Sequence, residues 1–126
     1  MKLESVVPMI AVKDIERSHA FYTEQLGFEP ASPADKIAEW RWSSLKRDGA
    51  RIMLSETERG HVVPAGDEHY FACLLYFYPD DVQSLYAEFK AKGLDVTEME
   101  TTFYGMREFS LRDPDGHLLS FGRDAD

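Results

Sequence analysis

The amino-acid sequence predicts an α+β fold built from two β-α-β-β-β modules within a single domain. Three observations lead there. Asp14 opens a stretch running to Leu26-Gly27, and Asp81, 67 positions later, opens a similar one running to Gly93. Asp48-Gly49 precedes an apolar run, and Asp115-Gly116, again 67 positions on, precedes another. Strand-like runs flank both pairs. A repeat filling residues 1–126 means one domain with two equivalent halves, module 1 at about 1–60 and module 2 at about 68–126.

Each element follows from local chemistry. Ser5 to Val12 carries Val6, Val7, Met9, Ile10 and Val12 and reads as a strand. Asp14 can accept from the free amides of a first helical turn, so a helix starts there. Ile15, His19, Tyr22 and Leu26 share one face of it, and Gly27 stops it. Phe28 to Ala31 is a short strand and Ser32-Pro33-Ala34-Asp35 a loop. Ala38 to Leu45 alternates poorly but reads as a strand carrying Trp40 and Trp42. Arg47-Asp48-Gly49 is a hairpin turn, and Arg51 to Ser55 returns.

Glu56 to Glu68 is polar, lacks a period and reads as a linker or flap. Tyr70 to Tyr78 matches the first strand, and Asp81 caps a second helix with Val82, Leu85, Tyr86 and Phe89 inward and Gly93 at its end. Asp95 to Met99 is a short strand. Met106–Arg112 and His117–Gly122 form a last hairpin around Asp113-Pro114-Asp115-Gly116.

Composition bounds the function. A net charge of −9 disfavours nucleic acid, whose phosphates need a basic stripe, and favours cationic ligands. No apolar run approaches membrane-spanning length and no signal peptide is evident, so no membrane partner is expected. The single cysteine, Cys73, cannot form an internal disulfide, which suits a reducing cytoplasm.

The run Val12-Lys13-Asp14-Ile15-Glu16-Arg17-Ser18 with Phe21-Tyr22 and Leu26-Gly27-Phe28 resembles the opening of the vicinal oxygen chelate superfamily of glyoxalase, bleomycin-resistance protein and dioxygenases. The ending, Tyr104 to Gly116, resembles it too. Val6-Val7-Pro8 and Gly105-Met106-Arg107-Glu108-Phe109 look most like bleomycin-resistance members. This likeness implies paired βαβββ modules, mixed sheets curved into a trough with helices outside, and usually a homodimer. It also implies divalent-metal ligands, His or Glu, on the first and last strand of each module. Those positions fall here on Val7, Met53, Leu74 (or Cys73 if the register slips) and Ser120. Valine and leucine have no lone pair, and one thioether with one hydroxyl cannot hold Zn, Mn, Fe or Ni against water. No cofactor is expected.

Other candidates are weaker. His19 reads as a core or boundary histidine with one hydrogen bond, His61 and His69 match no zinc spacing, and His117 follows a turn glycine. Cys73 has no cation nearby in sequence to activate it. Asp113 and Asp115 lack the remaining ligands of a calcium loop.

Trp40 and Trp42, two apart on a strand, would project from one face, and a uniform repeat sets them opposite Arg107 and Phe109. Phe103, Tyr104 and Met106 lie just before. Glu39 and Glu108 fall on the opposite parity and are not assigned to the site.

The leading expectation is therefore a metal-free, non-enzymatic homodimer that binds a small planar or cationic molecule. Val7, Met53, Leu74 and Ser120 would form the floor, and Trp40, Trp42, Tyr104 and Phe109 would stack. The alternatives are a glyoxalase- or dioxygenase-type enzyme with relocated ligands such as His69 and Glu56, a metal-free acid–base enzyme, and an interaction module.

Overall fold

The computed structural model describes residues 1–57 and 74–125. The chain divides into two compact units, Met1–Val62 and Val63–Asp126. Among the described residues each unit holds one four-stranded mixed sheet.

The first unit contains β1 (Met9–Val12), α1 (Ile15–Ala20), β2 (Glu29–Pro30), α2 (Ile37–Trp40), β3 (Trp42–Arg47) and β4 (Ala50–Glu56). Its strand order is β1-β4-β3-β2, with β1 parallel to β4 and the other pairs antiparallel. The Asp14 carboxylate accepts from the Arg17 amide at 3.1 Å, so α1 begins where the capping residue predicts. Glu56 adds a second cap by accepting from the Ile15 amide at 2.8 Å.

α1 does not stop at Ala20. It continues over Phe21–Gln25 as a wider π turn, closed by the Leu26 amide on the Phe21 carbonyl at 3.2 Å. Gly27 then takes φ 77°, a left-handed backbone that suits glycine. The Leu26 carbonyl accepts from the Arg47 guanidinium at 2.8 Å, which satisfies a terminal helix acceptor.

The core side of this sheet carries Ile10, Val12, Leu45, Ile52 and Leu54, all buried with Ile15, Tyr22 and Leu26 of the helical stretch. His19 reaches the same side, where its Nδ1 lies 2.8 Å from the Ser43 hydroxyl. Burial holds its pKa below the usual histidine value.

The expected strand Ala38–Leu45 is corrected. Its first part is α2, which follows a 3-10 turn at Ala34–Lys36. Pro33 presets the entry, and Ala38 and Glu39 are good helix formers. Arg41 ends the helix with φ 54°, an unusual value for a residue with a Cβ. It is held there by its own amide on the Ile37 carbonyl at 2.7 Å and by its side chain on Glu56 at 3.0 Å and on the Thr57 carbonyl at 2.8 Å.

The second unit contains β5 (Leu74–Phe77), α3 (Val82–Ala91), β6 (Glu100–Thr101), β7 (Met106–Arg112) and β8 (Leu118–Asp124). The order β5-β8-β7-β6 repeats that of the first sheet, again with one parallel pair, β5 with β8. Asp81 caps α3 through the Ser84 amide at 3.0 Å, and Gly93 takes φ 79° beyond its end. The expected strand Asp95–Met99 is displaced to Glu100–Thr101, which pairs with Glu108 and Arg107.

The core of this unit is aromatic. Phe109 and Phe121 stack at 5.2 Å, Phe77 stacks on Phe121 at 5.0 Å, and Phe89 of α3 meets Phe121 edge-on at 5.3 Å. Among the described residues, no helix is long and apolar enough to cross a membrane.

Candidate functional site

Strand alternation sorts every sheet residue onto a helix-packed face or a helix-free face. In the first unit Ile10, Ser43, Leu45 and Leu54 point to the helix, so Met9, Ala11, Trp42, Ser44, Met53 and Ser55 occupy the other face. In the second unit Phe77, Phe109 and Phe121 point to α3. Leu74, Tyr76, Glu108, Ser110, Ser120 and Gly122 therefore share the helix-free face.

This placement brings together several of the expected residues within each module. Met53 pairs in register with Ser44 on one side and Met9 on the other. Ser120 pairs with Ser110 and Tyr76, and its hydroxyl lies 2.7 Å from that of Ser110. Leu74 falls on the same face as Ser120. Val7 is half-buried and precedes β1. Cys73, His61 and His69 lie outside the described residues.

These donors do not suit the divalent ion that the fold's enzymes hold. A thioether, a hydroxyl already engaged with another hydroxyl and two hydrocarbon side chains offer no hard-ligand set. Among the described residues, no three His, Cys, Asp or Glu side chains gather as a cage. Glu56, proposed as a relocated ligand, has one oxygen on the Ile15 amide and the other on Arg41. It acts as a cap and strut.

Two stacking candidates are corrected. Trp40 does not share a strand face with Trp42. It sits at the end of α2, half-exposed, while Trp42 opens β3 on the helix-free face. Phe109 is 1% exposed and packed between Tyr86, Phe89 and Phe121, so it has no surface to offer a ligand.

The Phe109 error comes from the two hairpins. The first hairpin turns through Asp48-Gly49, pairing Arg47 with Ala50. The second closes with the Asp113 amide on the His117 carbonyl at 3.0 Å, around the longer Pro114-Asp115-Gly116. That extra residue makes the β3-to-β7 offset 66, while β4-to-β8 keeps 67. Trp42 is therefore equivalent to Glu108, and Phe109 to Ser43. The two core pairs agree: Ser43 meets His19 where Phe109 meets Tyr86, at 5.2 Å between ring centroids.

The shift reveals a group that sequence reasoning missed. Glu108 accepts from the Tyr76 hydroxyl at 2.6 Å and from the Tyr104 hydroxyl at 2.7 Å, one phenol on each oxygen. Burial, then this hydrogen bond, pushes the Tyr76 phenol well above its usual range. The bond to Glu108 likewise raises Tyr104. Both phenols thus stay protonated as donors.

Gly122 makes the first contact possible. A Cβ there would overlap the Tyr76 hydroxyl and lie 2.9 Å from Glu108 Cβ. Tyr78 lies beside Tyr76 with ring centroids 5.1 Å apart, and Phe103 beside Tyr104 at 4.9 Å. The signal was present in the sequence. Ser44-Leu45-Lys46 matches Ser110-Leu111-Arg112 at an offset of 66, and matching each hairpin separately brings it out.

Comparison with known proteins agrees with this architecture. The bleomycin resistance determinant encoded on transposon Tn5 superposes with a TM-score of 0.78 at 21% identity, covering 97% of this chain and 98% of that one. The bleomycin-binding protein of bleomycin-producing Streptomyces verticillus, complexed with copper(II)-bleomycin, gives 0.71 at 21% identity and 96% of both chains. A Bacillus anthracis protein assigned to the glyoxalase family gives 0.76 at 17% identity and 98% of both. Among curated proteins, none matches the chain. Residues 3–121 match the sequence profile of the Glyoxalase/Bleomycin resistance protein/Dioxygenase superfamily, and the chain belongs to that superfamily.

Proposed function

We propose that this chain is a non-enzymatic small-molecule binding protein of the bleomycin-resistance kind. It works without a metal ion, as a cytoplasmic homodimer. The observation carrying this reading is the chemistry of the helix-free sheet faces. Met53 on the first unit's face, and Leu74 and Ser120 on the second's, are apolar or weakly polar where the superfamily's enzymes need imidazole or carboxylate. Faces of this kind suit a ligand held by area and by rings.

Trp42 on one face and the half-exposed Tyr104 near the other supply aromatic surface. Each well-placed ring pair adds about 0.5–1.5 kcal/mol to what area alone provides. Likeness of fold to proteins crystallised with bleomycin supports the choice of bleomycin as first probe.

Trp40 and Trp42 are the only tryptophans, so intrinsic fluorescence reports on the first module. Titration with a panel of glycopeptide and planar heteroaromatic antibiotics should give saturable quenching and a raised melting temperature for at least one member. No quenching and no thermal shift across the panel would remove this reading.

A further inference from the structure

We propose that Glu108, with Tyr76, Tyr104 and the rings beside them, forms an anchor for an organic cation bearing N–H donors, such as an amidinium or protonated amine. This deepens the proposed binding function and rests on it, and it assigns the charged end of the ligand to one place in the second unit.

Glu108 carries a charge that no basic side chain balances among the described residues; its partners are two neutral phenols. Its register partner across β6 is Glu100, a second carboxylate. The basic neighbours in sequence and register, Arg107 and Arg123, alternate to the opposite face. Two phenolic donors fix the direction of the carboxylate and leave its charge in place. Each oxygen keeps a further lone pair, enough for the paired N–H groups of a planar cation.

The surroundings match that chemistry. Phe103 is 99% exposed, Tyr78 65% and Tyr104 56%, and these rings continue from the phenols that touch the carboxylate. Large exposed rings beside the two phenols that hold this anion suit a flat, positively charged ligand. Gly122 belongs to the same arrangement. Its missing side chain is what lets Tyr76 cross β8 to reach Glu108. The whole-chain charge of −9 adds a field of the right sign.

The test compares benzamidinium with neutral benzamide, which is planar and of nearly the same shape. Binding is followed by ligand-observed NMR on the intact chain. The wild type should bind benzamidinium at least about tenfold more tightly than benzamide. Glu108→Gln, which keeps an acceptor for the phenols, should bring the ratio close to one without weakening benzamide. Tyr104→Phe, at an exposed position, should reduce the ratio by a smaller factor and guards against a folding defect in the first variant.

Equal affinity for the two probes in the wild type, or an unchanged preference in Glu108→Gln, overturns the proposal. Binding of neither probe overturns it as well. Antibiotic quenching of Trp40 and Trp42 is read separately in the first unit, so the broader binding function can survive the loss of this one.

Discussion

Gly122→Ala tests whether the second module is built around the Tyr76–Glu108 contact. The new methyl would occupy the space of the Tyr76 hydroxyl and lie 2.9 Å from Glu108 Cβ and 3.0 Å from Tyr76 Cζ. Glu108 Cβ is fixed by β7, so the tyrosine must move and the 2.6 Å bond must break. A hydrogen bond to a charged group is worth about 1.5–3 kcal/mol, and the half-buried setting favours the lower end. Replacing a strand glycine by alanine returns roughly 0.5–1 kcal/mol through the unfolded chain. The net expectation is a loss of about 1 kcal/mol in urea unfolding.

The clearer reading is a double-mutant cycle. Tyr76→Phe should cost about 1.5 kcal/mol in the wild type and almost nothing in Gly122→Ala, because the contact is already gone. Equal costs in the two backgrounds would refute the role given to Gly122.

Two other predictions follow from the packing. Phe109→Ala removes a ring that is 1% exposed and should destabilise the chain by about 3–5 kcal/mol in chemical denaturation; a loss under 1 kcal/mol would mean Phe109 is not core. His19 has a folded pKa below 6.5 because it is buried, so the unfolded chain takes up the proton first. Its contribution to stability is fully present above pH 6.5 and is lost as pH falls through the folded value, and His19→Gln should flatten that part of the stability–pH curve. An unchanged slope would show that His19 is not the group responsible.

Much of the fold could be read from the chain because local chemistry and the repeat point the same way. Asp14 and Asp81 cap helices, Gly27 and Gly93 end them, and Ile15, Tyr22 and Leu26 turn inward together. Positions fixed by register were also legible, which is why Met53 and Ser120 fall on equivalent faces.

The facing of β7 was hidden by a single residue. Strand parity has a period of two, so the longer loop at Pro114-Asp115-Gly116 moves every β7 side chain to the other face of a uniformly matched repeat. Phe109 went into the core and Glu108 came out for that reason alone. The helical turn of α2 was obscured differently. Tryptophan favours strands, but Trp40 ends a short helix whose geometry is set by Arg41 and Glu56, a contact between residues 15 positions apart.

Val7, Met53, Leu74 and Ser120 do not offer the donors that a divalent ion needs. The most direct measurement is elemental analysis of untagged protein, dialysed against Zn, Ni, Mn and Fe in turn and then against metal-free buffer. Far less than one ion per chain is expected for every metal. One tightly held ion per chain, lost on replacing any of those four residues, would contradict the account.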